Sequence, residues 1–206
     1  LSRGLLRIYL GAAPGVGKTY AMLSEGWRRC SRGTDVVVGA LHTHSRPHTI
    51  AQLKDLEVVG ITRTVDGVLS EVLLDLDSLL DRKAQVVLVD ELEQYNPPGH
   101  LHQRRWQDVE RLLQEGITVI TTLDITHLES LKDVVESITG VAQIATVPDA
   151  FVRTADQIEL VDMTPEALLR RFAHGNIYPP NKVDPVASSY FKPEVLAGLR
   201  ELSLYW

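Results

Sequence analysis

Two hydrophobic periods alternate along this chain. Between residues 5 and 10, Leu6, Ile8 and Leu10 interleave with Leu5, Arg7 and Tyr9. A period of two places successive side chains on opposite faces of a strand. Residues 35–41 and 85–91 carry unbroken apolar runs, Val36-Val-Val38 and Val86-Val-Leu-Val89, as strands inside a parallel sheet do. Residues 117–123 read as a further strand, and 143–147 and 157–161 as shorter ones. Residues 57–64 are ambiguous, with strand the better fit. The intervening stretches 18–32, 49–56, 72–80, 105–115 and 128–138 have helical spacing; in 72–80 the apolar positions are Val72, Leu73, Leu76, Leu79 and Leu80. Gly33, Gly116 and Gly140 stop three of these helices. Thr164 caps another, with Pro165 in its first turn and Gly175 beyond its end. Regular alternation of strand and helix predicts an α/β fold: a mostly parallel sheet flanked by helices on both faces. Residues 1–162 form its core, and 163–206, with Pro179, Pro180, Pro185 and Pro193, form a C-terminal helical extension of the same domain or a linker. Residues 92–104, with Pro97, Pro98 and Gly99, form a long loop, and loops of that length are more often functional than idle.

The first strand runs into Gly11-Ala-Ala-Pro-Gly-Val-Gly-Lys-Thr-Tyr20. Strand, glycine-rich turn and helix in that order are the context of a P-loop, so the fold is expected to be P-loop NTPase-like. Backbone N–H groups of such a turn cradle phosphate oxygens, helped by the positive end of the following helix. The nucleotide contacts expected from the motif are therefore Gly11, Ala12, Ala13, Pro14, Gly15, Val16, Gly17, Lys18, Thr19 and Tyr20. Lys18 would reach the β- and γ-phosphates and the Thr19 hydroxyl would ligate Mg²⁺. The usual G-x-x-x-x-G-K-[ST] pattern would begin with glycine at position 12; here that residue is Ala12, small enough to be tolerated.

A P-loop needs a second acid, and the strand at 85–91 ends in Asp90 and Glu91. Asp90 is expected to hold Mg²⁺ opposite Thr19, and Glu91 to orient an attacking water if hydrolysis occurs. Thr121 and Thr122 end the next strand and could sense the γ-phosphate, although threonine is also simply a good strand former. Arg46, Arg104 and Arg105 are candidate phosphate-facing arginines. Among seven histidines, His42, His44 and His48 share one loop, and His100 and His102 another. Metal sites ask for three or four convergent ligands, so nucleotide chemistry takes precedence over a histidine metal site.

Composition narrows the function classes. With 44% hydrophobic and 23% charged residues in 206, the chain has a globular composition and enough apolar residues for one core. A formal charge of −6 argues against nucleic acid as the partner. The single cysteine, Cys30, leaves no internal disulfide and suits a reducing cytoplasm. No apolar run reaches the length of a membrane span. A chain that starts at Leu1 and stops at Trp206 reads as a piece of something longer.

With these residues in view, the sequence resembles the N-terminal cytoplasmic domain of the KdpD family of osmosensitive potassium sensor histidine kinases. The resemblance covers nearly the whole chain. It runs through the glycine-rich loop, Val89-Asp-Glu-Leu92, Arg105-Trp-Gln-Asp-Val-Glu110, Thr121-Thr122, His127-Leu-Glu-Ser-Leu131 and Ile138-Thr-Gly-Val141. It implies a cytoplasmic, ATP-binding regulatory domain of a bacterial inner-membrane, dimeric two-component kinase. The implied partners are nucleotide, the rest of the kinase and other regulatory proteins. The implied output is a response regulator controlling high-affinity potassium uptake. By position, Gly17, Lys18 and Thr19 match the family's P-loop, and Asp90 with Glu91 its acidic motif. Two departures stand out: Gln94 and Tyr95 replace a histidine and a threonine, and a T-H-G-R loop has become Thr43-His-Ser-Arg46. Both fall in loops expected near the nucleotide. His127 is followed by Leu128 and His102 by Gln103, so neither sits in a phosphoacceptor box and this piece should not autophosphorylate. Two other functions fit the residues less fully: a self-contained ATPase or small-molecule kinase with 92–104 as its lid, and an interaction module with a vestigial P-loop.

Overall fold

A computed structural model describes residues 2–178 and 189–206. The stretch holding Pro179, Pro180 and Pro185, read above as part of an extension or linker, lies outside the described residues. The strands are β1 (Leu6–Gly11), β2 (Val36–His42), β3 (Glu57–Val58), β4 (Ile61–Val65), β5 (Val68–Leu73), β6 (Val86–Val89), β7 (Thr118–Asp124) and β8 (Gln157–Val161). They form one eight-stranded mixed sheet in the order β4-β5-β2-β6-β7-β1-β8, with β3 also on β2. All pairings among β1, β2, β3, β6, β7 and β8 are parallel; β5 is antiparallel to β2 and to β4. The α/β fold with a mostly parallel sheet is thus as the alternation predicted.

Period-two patterning decides which side chain enters which core. Leu6, Ile8 and Leu10 join Val37, Val87, Val89, Val119 and Leu123 on one face of the sheet. There they meet Val109, Leu112 and Leu113 of α4 (Arg105–Gln114) and Leu76 and Leu79 of α3 (Leu76–Arg82). Tyr9, Val36, Val38, Val86, Leu88 and Ile120 point the other way, onto Met22 and Leu23 of α1 (Lys18–Cys30). Both faces being covered, β6, and β2 as far as Leu41, carry no polar side chain. Further α-helices among the described residues are α2 (Pro47–Leu53), α5 (Lys132–Thr139), α6 (Asp149–Val152), α7 (Pro165–Ala173) and α8 (Pro193–Tyr205). Among the described residues no helix is long and apolar enough to cross a membrane.

Three elements differ from the sequence reading. Residues 72–80 are not one helix: Val72 and Leu73 close β5, and α3 begins only after Asp75, whose carboxylate accepts the Ser78 N–H at 3.1 Å. The reason is a hairpin. Asp66 and Gly67 have φ of 52° and 77° and join β4 to β5, the left-handed pair that a two-residue hairpin turn requires. Residues 143–147 make no strand; Val147 forms only a single parallel bridge to Leu128. That bridge holds Leu128 extended, so the stretch read as a helix over 128–138 begins in 3₁₀ turns and becomes α-helical only at Lys132.

Candidate functional site

β1, β6 and β7 are parallel neighbours, so their C-terminal ends, at Gly11, Val89 and Asp124, open on the same edge of the sheet. Ligands in open α/β sheets bind at that edge. The chain leaves β1 through residues 11–17. A Cβ on Gly11 would lie 2.7 Å from Val16 Cγ2 and 2.8 Å from Lys18 Cδ, so the turn closes on itself only with glycine there. Ala12, at the position where the motif expects glycine, points its methyl away from the loop, into a cluster with Val135, Val195 and Leu199. Ala13 and Val16 pack on Leu168, Ile177, Phe191 and Leu196. Gly17, at φ 109°, precedes α1 and supplies no side-chain cap, so the first-turn N–H groups of a thirteen-residue helix have no side-chain acceptor there.

The side chains beyond the loop form one network. The Lys18 ammonium donates to the Asp124 carboxylate and, at 3.3 Å, to the Ala13 carbonyl. The Thr19 hydroxyl donates to Asp90 Oδ1 at 3.0 Å, with Oδ2 at 3.2 Å. Asp90 is fully buried and also accepts the Thr122 hydroxyl at 2.7 Å and the His42 N–H at 3.2 Å. Burial and the neighbouring Glu91 charge push the Asp90 carboxyl above its ordinary pKa, against the pull of these three donors. Arg105 Nη1 donates to the carbonyls of Asp90 at 2.7 Å and Glu91 at 3.2 Å. This arginine therefore braces the acidic turn and does not face the cavity.

Glu91 sits at φ 53°, a left-handed backbone that costs a non-glycine residue about 1–2 kcal/mol. Its carboxylate lies 2.9 Å from His44 Nε2 and 3.4 Å from His42 Nδ1, and accepts Gln94 Nε2 at 3.0 Å. Burial would raise this carboxyl, but the hydrogen bonds and charges of the two histidines hold it well below the usual range. Glu93 behaves oppositely. Burial and the charges of Asp124 and Glu91 push it well above the usual range, and its buried Oε2 has no partner among the described residues.

A cavity of about 850 Å³ lies over this network, within the size of small-molecule sites. Pro14, Gly15, Val16, Gly17, Lys18, Thr19, Tyr20 and Glu91 line it. Gly11, Ala12 and Ala13 do not line it, and Asp90 touches the site through Thr19 and Thr122. Of the three candidate arginines, Arg46 lines the cavity: its Nε donates to the Ile177 carbonyl at 3.1 Å, and its buried Nη2 has no partner among the described residues. Arg104 turns away, onto the Glu93 carbonyl at 3.0 Å and over the Tyr95 ring. The loop at 92–104 is pinned by buried Asp108 of α4, which takes Asn96 and, at 2.6 Å, His102.

Sequence reasoning passed over several of these residues. Asp124 carried a legible signal, an acid at the end of an apolar strand like Asp90. Ile177 carried none. It sits where a Gly15 side chain would be, 2.6 Å from the position of a Cβ, and with Arg171 of α7 and Asn176 it lines the cavity.

The chain was compared with known proteins. The family described as "Osmosensitive K+ channel His kinase sensor domain" matches residues 2–206. A "Sensor protein KdpD" of Mycobacterium tuberculosis is 53% identical over 204 residues, covering 99% of this chain and 24% of that protein. The protein of the same description from Escherichia coli is 43% identical over 98% of this chain and 23% of its own length. A "Putative sensor protein KdpD" of Synechocystis is 43% identical over 98% of this chain and 55% of its own length. The chain thus spans about a quarter of the first two relatives. A match of this extent, over nearly every residue, shows that the chain belongs to the KdpD family of osmosensitive K+ channel His kinase sensor domains.

Proposed function

We propose that this domain is a regulatory module that binds ATP with Mg²⁺. In this reading it lies on the cytoplasmic side of a bacterial inner-membrane, two-component potassium sensor. Its nucleotide state sets the balance of kinase and phosphatase output toward a response regulator controlling high-affinity potassium uptake. The observation that carries the reading is the contact of Thr19 with Asp90 beside Lys18 and an open loop–helix junction, all under one cavity. The orphaned Nη2 of Arg46 in the cavity wall is a donor in need of an anion, and so fits a phosphate ligand.

When bound, the magnesium nucleotide supplies anionic phosphates and a hard cation to this acid-lined cavity. Residues 15–17 and the first turn of α1 would present N–H groups to the phosphates. Lys18 would exchange the Asp124 carboxylate for phosphate oxygen. Thr19 and Asp90 would hold the cation. Tyr20, 48% exposed, stands at the cavity wall for the base or sugar. In this reading Glu91 would orient a water. With its carboxylate committed to His42, His44 and Gln94 it is a weak base, which favours binding over rapid turnover. Calorimetric titration of Mg-ATP into the parent and Lys18→Ala, with released phosphate followed in the same samples, tests this. We expect binding in the parent, at least about tenfold weaker binding in the variant, and little phosphate. Equal affinities would overturn the nucleotide site, and fast release abolished by Glu91→Gln would favour a turnover enzyme.

A further inference from the structure

His42, His44 and Glu91 form a group outside the phosphate and Mg²⁺ contacts proposed above; a metal there would take Glu91 from the water-orienting role. One ligand atom from each lies within 4.8 Å of the other two. His44 Nε2 lies 2.9 Å from Glu91 Oε1 and His42 Nδ1 lies 3.4 Å from Glu91 Oε2, so both imidazoles reach the one carboxylate. The imidazoles stack at 3.8 Å between centroids, inclined by 16°.

The backbone is bent to make this group. His44 and Glu91 hold φ of 49° and 53°, and Ser45 holds 57°. Left-handed non-glycine residues gather where a site needs side chains aimed against backbone preference. Gln94 Nε2, 3.0 Å from Glu91 Oε2, orients the carboxylate as an outer-shell donor would. His44 and Glu91 both border the cavity, which offers entry for an ion and room for a water ligand.

We infer that His42, His44 and Glu91 bind a divalent transition-metal ion of the zinc class, with water completing the coordination. Two nitrogens and one carboxylate suit Zn²⁺ and its neighbours, whereas Mg²⁺ prefers oxygen ligands alone, so this site is separate from the Thr19–Asp90 pair. The inference does not rest on nucleotide binding. Coordination opens the ring stack, because each in-plane lone pair must point at the ion.

The test is Zn²⁺ titration of the 206-residue chain, without nucleotide, by calorimetry and thermal shift, with Co²⁺ as a spectroscopic probe. The expected result is one equivalent bound, a raised Tm, a visible Co²⁺ band without thiolate charge transfer from Cys30, and perturbed His42 and His44 ring resonances. His42→Ala/His44→Ala should weaken binding by at least about tenfold. His127→Ala, which breaks the other group of potential ligands among the described residues, Glu93, Asp124 and His127, should leave binding in place. Absence of binding to the parent overturns the inference. So does binding lost in His127→Ala and kept in the double variant. The Co²⁺ spectrum of the parent decides the ligand type even if the double variant does not fold.

Discussion

Thr121 and Thr122 are adjacent, chemically identical and equally buried, at 0% and 1% exposure, yet their hydroxyls have opposite situations. Thr122 Oγ1 donates to Asp90 Oδ1 at 2.7 Å and accepts the Glu91 N–H at 2.8 Å. Thr121 Oγ1 has no hydrogen-bond partner among the described residues. Valine has nearly the shape of threonine, so Thr→Val isolates the hydroxyl. In Thr122→Val, a hydrogen bond to a carboxylate is lost, about 1.5–3 kcal/mol, and a backbone N–H is left unpaired, about 1–3 kcal/mol. Asp90 keeps Thr19 and the His42 N–H, so the sum sits at the lower end, about 3 kcal/mol. For a domain of this size that is on the order of 10 °C in Tm. In Thr121→Val, an unpaired buried hydroxyl is replaced by a methyl group, which should leave stability unchanged or raise it by about 1 kcal/mol. Urea unfolding of both variants, monitored by tryptophan fluorescence and circular dichroism, measures the difference. Equal destabilisation by the two, or a Thr122→Val effect within about 0.5 kcal/mol of zero, would refute the assignment of these partners.

The Glu25 carboxylate accepts from Arg7 at 3.2 Å, Arg28 at 2.6 Å and Arg29 at 2.8 Å. Burial opposes its ionisation, but the three arginines together lower its pKa. A carboxyl depressed in the folded state contributes stability that is present above its unfolded pKa and lost as pH falls through the folded one. Glu25→Gln should therefore cost about 1.5–3 kcal/mol at pH 7, and the gap from the parent should close in acid, as measured by denaturation across pH. Ser45 stands at φ 57° where glycine would be unstrained; Ser45→Gly should raise stability by about 1 kcal/mol in the same unfolding assay. In the interior of α1, a Cβ on Gly26 would lie 2.4 Å from Leu88 Cδ1. Gly26→Ala should lower stability by about 1–3 kcal/mol, despite alanine's better helix propensity, in thermal melts.

Much of the fold was legible because its signals are local. β6, and β2 as far as Leu41, carry no polar side chain since helices cover both faces, and Gly33, Gly116 and Gly140 mark ends that the backbone itself dictates. Asp66-Gly67 carries a hairpin signal that the sequence reading passed over, and the leucine spacing that follows imitates a helix across a strand–helix boundary. The stretch at 143–147 has strand composition and no strand, because a ladder needs a partner edge and Val147 meets only Leu128.

The site divides in the same way. The loop at 11–17, Lys18, Thr19 and Asp90 can be named from the chain alone, since a turn that closes without side chains and a strand that ends in an acid are written in consecutive residues. The pairing of Lys18 with Asp124, the seat of Ile177 against Gly15, and the meeting of His42 and His44 with Glu91 are not written there. Each joins residues separated by 47 to more than 100 positions, and each depends on the order in which the strands lie side by side. The same order separates the two threonines of β7: Thr122 faces the end of β6 and its acids, and Thr121 faces the interior with no partner. Composition cannot tell those neighbours apart, because the difference lies in what the sheet places beside them.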